Sequence, residues 1–171
     1  MNLDWCTRST IGTMTLLLLG PVSQASESPN VIRTIAPDSK LPIAQAVEIP
    51  AGYSTVYLSG VVPAKTTNAP GRNAYGHDTR EQTLNVLQRI AAQLSTLNLS
   101  MRDVIKMQVF LVADPNKGDK MDFGGFMDAY RQYFGTAGQP NLPARSLVQV
   151  AALASPDFLV EIEVVAVRPL P

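Results

Sequence analysis

The stretch LPARSLVQVAALASPDFLVEIEVVAV, from Leu142 to Val167, decides how this chain is read. Arg145 to Ala152 and Phe158 to Val167 are rich in Val, Leu and Ile, and each reads as a strand. A two-residue side-chain period puts Arg145, Leu147 and Gln149 on one face of the first strand. The same period puts Glu161 and Glu163 together on one face of the second. Arg145 follows a Pro-Ala pair and stands among apolar residues, so its charge needs an anion. A planar guanidinium suits a carboxylate, which it grips with two parallel hydrogen bonds. If the two strands pair, a Glu could lie close enough to be that anion, as a structural ion pair. Otherwise the anion is a bound one, and periodicity alone leaves both open.

Upstream, the same kinds of signal recur. Val31 to Ala36 reads as an edge strand broken by Pro37, and Ile43 to Ile49 as a second strand stopped by Pro50. STVYLSGVV, Ser54 to Val62, reads as a buried strand, and the short Pro-Ala-Gly connection before it suits a hairpin. Pro63 to His77 is a loop. Asp78-Thr79-Arg80-Glu81 resembles a capping box, and Leu84, Leu87, Ala91, Leu94 and Leu97 follow at helical spacing, with Gln82 among the residues of the other faces. Val104 to Ala113 is a strand. Asp119 or Asp122 then caps a second helix, whose stripe is Phe123, Phe126, Met127, Tyr130 and Phe134, and Gly135 stops it. Such an aromatic stripe reads as core. The order is β-β-β-α-β-α-β-β, an α+β fold: one mixed sheet with both helices on one face. The uncovered face, judged apolar from the last strands, calls for self-association.

Composition narrows the function. Apolar residues make up 46% and charged residues 16%, which suits a packed domain. Fourteen basic residues balance fourteen acidic ones, and no Lys/Arg run exists, which argues against nucleic acid as a partner. The first residues read as an export signal: Arg8, an apolar Ile11–Val22 stretch shorter than the ~20 residues a membrane span needs, then Ser23-Gln24-Ala25 as a cleavage site. The expected division is residues 1–25 signal peptide, 26–40 an N-terminal segment with an edge strand, and 41–168 the domain. The expected location is periplasmic or secreted, with no membrane association once the signal is removed. Cys6, the single cysteine, falls inside that signal, so the mature chain would carry no thiol. His77, the single histidine, lies in a loop, and one His does not make a zinc site. No P-loop, dinucleotide fingerprint, nucleophile elbow or His-Glu-x-x-His motif occurs.

The run P-A-R-S-x-V-x-V-A-x-L, followed by V-E-I-E-x-x-A-V, resembles the signature of the Rid (reactive intermediate deaminase, YjgF-type) family, formerly grouped as endoribonuclease L-PSP-like. Other segments agree in order. LPIAQAV at Leu41 to Val47 is similar to the family's GPYSQAV, and YLSGVVP at Tyr57 to Pro63 to its SGQIP strand. EQTLNVLQRIAAQL, DVIKMQVFL and AYRQYFG resemble its remaining helix and strand motifs. The resemblance implies a chorismate-mutase-like fold and a homotrimer with ligand pockets between subunits. It implies hydrolysis of 2-imino or enamine acids to 2-keto acids and ammonia, with no metal or organic cofactor. Arg145 matches the residue that holds the substrate carboxylate, and Glu161 the one that positions or activates water. Ser59 and Gly60 match the pair that lines the pocket, and Leu147 lies where the family often has Cys, its backbone N–H still available to the carboxylate. Two departures stand out: Ile43 replaces the pocket Tyr, and Met127 stands where active members often carry Asn. The alternative function is a trimer that binds a small carboxylate without chemistry. The ribonuclease label fits poorly with zero net charge and one His.

Overall fold

A computed structural model describes residues 30–171, so the expected signal segment lies outside the described residues. The elements follow the expected order: β1 (Ile32–Thr34), β2 (Ala46–Glu48), β3 (Tyr53–Val61), α1 (Thr79–Thr96), β4 (Val104–Val112), α2 (Phe123–Tyr130), β5 (Ala144–Val150) and β6 (Val160–Pro169). Four strands form one mixed sheet in the order β3-β6-β4-β5. β6 runs antiparallel to both β3 and β4, while β4 and β5 are parallel. Strands β3 and β4 therefore also run the same way, and α1 and α2 each return the chain between parallel strands. β1 and β2 form a separate two-stranded antiparallel ribbon. The expected β2–β3 hairpin does not form, because β2 pairs with β1 instead. β2 ends two residues short of Pro50, whose nitrogen has no hydrogen to donate to a ladder.

Helix starts are set locally. The Asp78 carboxylate accepts from the Glu81 N–H at 2.8 Å, and Glu81 reaches back to the N–H of His77 at 2.9 Å. The second half of the box thus lands one residue before the cap. Asp122, not Asp119, caps α2 by accepting from the Gly125 N–H at 2.9 Å. Beyond Tyr130 the chain makes one more turn, with the Phe134 N–H donating to the Tyr130 carbonyl, and leaves through Gly135 at φ 75°.

The core lies between the helices and one sheet face. Val86, Leu87, Ile90 and Leu94 of α1 meet Met107, Val109 and Leu111 of β4 and Val160, Ile162 and Val164 of β6. The buried face of α1 is rotated from the expected stripe: Leu97 is exposed, while Gln82 is fully buried. The Gln82 amide donates to the carbonyls of Gly76 and Asp157 and accepts from the Leu159 N–H at 2.7 Å. With its polar atoms satisfied, Gln82 occupies the core without the penalty of an unpaired amide.

The other sheet face carries no helix. Tyr57 is 78% exposed there and Val148 46% exposed. Between them stand apolar Phe110 and Val165 together with Lys106, Gln108, Ser146, Glu161 and Glu163, so this face is amphipathic, not apolar throughout. Alternation along β4 and β6 sends Met107, Val109, Leu111, Val160, Ile162 and Val164 into the core and the polar residues outward, in company with Phe110 and Val165.

Candidate functional site

Arg145 lies on the covered face. Its strand pairs Arg145 with Met107, a buried core position, so the side chain turns toward α2. The guanidinium carbon stands 4.3 Å from the centre of the Tyr130 ring and 5.0 Å from that of Phe126. Nη2 donates to the Met127 sulfur at 3.3 Å. Nη1 is buried and has no partner. No carboxylate lies within ion-pair distance of Arg145 among the described residues. Burial pushes its pKa below the ordinary arginine value; Tyr130 raises it and nearby Arg131 lowers it further. The structural ion-pair reading is therefore not what the fold contains: Arg145 is a half-buried cation held by sulfur and aromatic rings.

Strand β5 is the end strand of the sheet, and its outer edge faces Leu41–Val47. The Pro143 carbonyl accepts from the Ala44 N–H at 3.0 Å, so it points away from β4. Backbone N–H and C=O groups of alternate residues leave a strand on the same side. The N–H of Leu147 thus emerges on this outer edge, two residues along from Arg145. The Leu147 side chain packs on the core from the same face as Arg145. The family-like LPIAQAV segment and the PARS segment are brought together here, with Ala44 bridging Ala144.

Glu161 is on the opposite face. β4 separates β5 from β6, so the strands carrying Arg145 and Glu161 do not pair. Glu161 aligns with Phe110, and Phe110 with Val148, across the open face. Ser59 and Gly60 sit at an irregularity of the β3–β6 ladder, between Leu58 and Val61, and both are exposed. A Cβ on Gly60 would overlap Glu161 Oε1 and stand 2.9 Å from its carboxyl carbon. Glycine at 60 is what lets the carboxylate lie against the β3 backbone.

Arg145, Met127, Leu147 and Ile43's segment therefore form one half-site, and Glu161, Gly60 and Ser59 another, on the two sides of one sheet. The clefts lined by Arg33 and Arg102, by Leu41 and Phe134, by Leu99 and Met101, and by Leu84 and Tyr133 include neither Arg145 nor Glu161. The aromatic stripe of α2, expected as core, is buried at Met127 and Phe134 but exposed at Phe123; Phe126 and Tyr130 are fully buried. They are also the platform under Arg145, a role that helical spacing alone does not announce. Among the described residues, no group of three His, Cys, Asp or Glu side chains is placed to hold a metal ion. None of the described helices is long and apolar enough to cross a membrane.

The family model described as Endoribonuclease L-PSP matches residues 27–168. The chain belongs to the Rid (YjgF) family. This Rid-family chain is 34% identical over 133 residues to TdcF of Escherichia coli, which carries the name of a reactive intermediate deaminase; the match covers 78% of this chain and 92% of that protein. A RutC family protein of Pyrococcus horikoshii is also 34% identical, with the same coverage. Among solved structures, YyfB of Yersinia pestis, described as a Rid family protein, superposes with a TM-score of 0.61 at 21% identity, over 81% of this chain and 98% of that one, which bears on the fold. YEO7 of yeast superposes with a TM-score of 0.52 at 29% identity, over 84% and 98%. The two helices packed on a mixed sheet are thus the Rid fold.

Proposed function

We propose that this chain hydrolyses reactive 2-imino acids, or their enamine tautomers, to 2-keto acids and ammonium. The observation that carries this is Arg145, a half-buried cation whose Nη1 is itself buried and unpartnered, with no carboxylate beside it. A buried charge without a partner is costly, and a substrate carboxylate supplies the missing partner. The Leu147 N–H, on the free edge of β5, is a second donor for the same carboxylate. The name of the relative TdcF supports the reaction class.

In the proposed reaction, Glu161 takes a proton from water as the oxygen attacks the iminium carbon, turning its C=N bond into a C–N bond. Proton transfer from the resulting hydroxyl to nitrogen then expels ammonia. The C=O bond of the 2-keto acid forms as the C–N bond breaks. The leaving ammonia takes back the proton held by Glu161, so ammonium departs and the carboxylate is regenerated. Because Arg145 and Glu161 face opposite sides of one sheet, one copy supplies the carboxylate anchor and its neighbour the water-activating carboxylate. That arrangement supports a homotrimer with pockets between subunits.

The test separates the two roles. Arg145→Ala removes charge-assisted hydrogen bonds worth ~1.5–3 kcal/mol each and is expected to abolish both 2-keto acid binding and turnover. Glu161→Gln is expected to keep binding and to suppress hydrolysis of an imine generated by an amino-acid oxidase. Equal turnover in wild type and Glu161→Gln removes Glu161 from the mechanism. A second reading, a trimer that captures a small carboxylate without chemistry, is favoured by apolar Met127 and Ile43 where active relatives place Asn and Tyr. Wild type that binds a 2-keto acid without accelerating imine loss over the buffer rate decides for it.

A further inference from the structure

We infer that Tyr130 is a positioning residue for the carboxylate site: its ring carries the Arg145 guanidinium, and its hydroxyl locks that ring to the wall opposite β5. The inference rests on Arg145 being the carboxylate anchor and adds what aims it.

Three observations meet at this side chain. First, the guanidinium lies closer to the Tyr130 ring, at 4.3 Å, than to the Phe126 ring, at 5.0 Å. A ring under the flat face of a guanidinium attracts the cation while leaving its in-plane N–H groups free. A carboxylate partner within the protein would occupy those same N–H groups. The rings therefore hold the cation without taking its hydrogen-bond donors, of which Nη2 gives one to Met127.

Second, Tyr130 is itself fixed. Its ring stacks on Phe134, with centres 4.8 Å apart and planes at 17°, and on Phe126, at 5.7 Å and 29°. The column Phe126–Tyr130–Phe134 follows the four-residue repeat that continues from α2 into its last turn. The Tyr130 side chain is fully buried.

Third, the Tyr130 hydroxyl donates to the Pro42 carbonyl at 2.9 Å. Two residues later the Ala44 N–H donates to the Pro143 carbonyl at 3.0 Å, and Arg145 follows two residues after Pro143. A closed circuit results: ring to guanidinium, hydroxyl to Pro42, Ala44 to Pro143, and back to Arg145. Burial pushes the phenol's pKa well above the ordinary tyrosine value against the opposing pull of the Arg145 charge, so it is a donor at neutral pH. The chain thus fixes the outer wall of the site and the direction of its cation through one side chain.

The test uses the full-length folded protein, pyruvate as the carboxylate probe and pyruvamide as its uncharged counterpart. Tyr130→Phe keeps the ring and loses the Pro42 bond. Trifluorophenylalanine incorporated at position 130 keeps the shape of that Phe and weakens the negative face of the ring, so it needs no repacking of the core. Going from Phe to the fluorinated ring is expected to raise the pyruvate Kd about fivefold, in line with the strength of a desolvated cation–π contact. It should leave pyruvamide affinity unchanged. Equal pyruvate affinity for the Phe and fluorinated proteins overturns the inference, and a loss shared equally by pyruvamide does so too. Arg145→Ala, measured in parallel, separates the failures. If it leaves pyruvate affinity intact, or if wild type binds no pyruvate, the anchor reading itself is wrong. If it abolishes binding while fluorination changes nothing, only the role of Tyr130 is lost.

Discussion

At the scale of single residues, Gly60 is the position most tightly tied to Glu161. Its missing side chain is the space the Glu161 carboxylate fills, since an added Cβ would overlap Oε1. Gly60→Ala is therefore expected to displace the carboxylate, not the strand, because residue 60 is exposed and lies at a ladder irregularity. Imine hydrolysis should fall at least about tenfold, the cost of roughly 1.4 kcal/mol of lost transition-state stabilisation, while pyruvate binding through Arg145 persists. Steady-state rates beside a calorimetric titration check this, and full activity in Gly60→Ala would show that the Glu161 carboxylate is not needed where it stands. Arg145 was legible as an unusual residue from its neighbours alone. That it is held by Met127 sulfur and two rings was not, because those groups come from a helix fifteen or more residues upstream.

At the scale of elements, α1 is bound to the rest of the domain by a polar residue inside its core face. Gln82 satisfies the Leu159 N–H just before β6 and the carbonyls of Gly76 and Asp157. Gln82→Leu keeps a similar volume but strands these buried groups, each costing ~1–3 kcal/mol. We expect a loss of at least about 3 kcal/mol in denaturant unfolding at unchanged m-value, three such groups at the low end of that range. Asp78→Ala removes only the N-cap and should cost about 1 kcal/mol. A Gln82→Leu protein no less stable than Asp78→Ala would refute the ranking. The helix stripe was readable from leucine spacing, yet its orientation was off because composition counted Gln82 as outward-facing. A residue's polarity says where it goes only when no partner waits for it in the core.

At the scale of the whole molecule, the two half-sites lie on opposite sides of the sheet, and the open face presents Tyr57 and Val148 around Glu161. Both features support assembly through that face. Light scattering is expected to give three times the mass of one mature chain, and a stable monomer at micromolar concentration would contradict the shared pocket. Export is a separate proposal resting on the Leu-rich segment that ends at Ser23-Gln24-Ala25. Protein recovered from the periplasm should begin near Ser26 on N-terminal sequencing, whereas soluble cytosolic protein retaining Met1 would end that proposal.

The amino-acid order alone determined what depends on near neighbours. Period-two alternation placed Arg145 with Leu147 and Glu161 with Glu163, Asp78 marked one helix start, Asp119 or Asp122 the other, and Gly135 an end. These follow from backbone geometry and hydrogen bonds spanning a few residues. Only the tertiary structure decided which strands became neighbours. The order β3-β6-β4-β5 inserts β4 between the strand of Arg145 and that of Glu161. The register of each strand against β4 then sends Arg145 toward the helices, in line with Met107, and Glu161 to the open face, in line with Phe110. No local rule contains that outcome, because strand adjacency is chosen by how both helices and all four strands bury one common core.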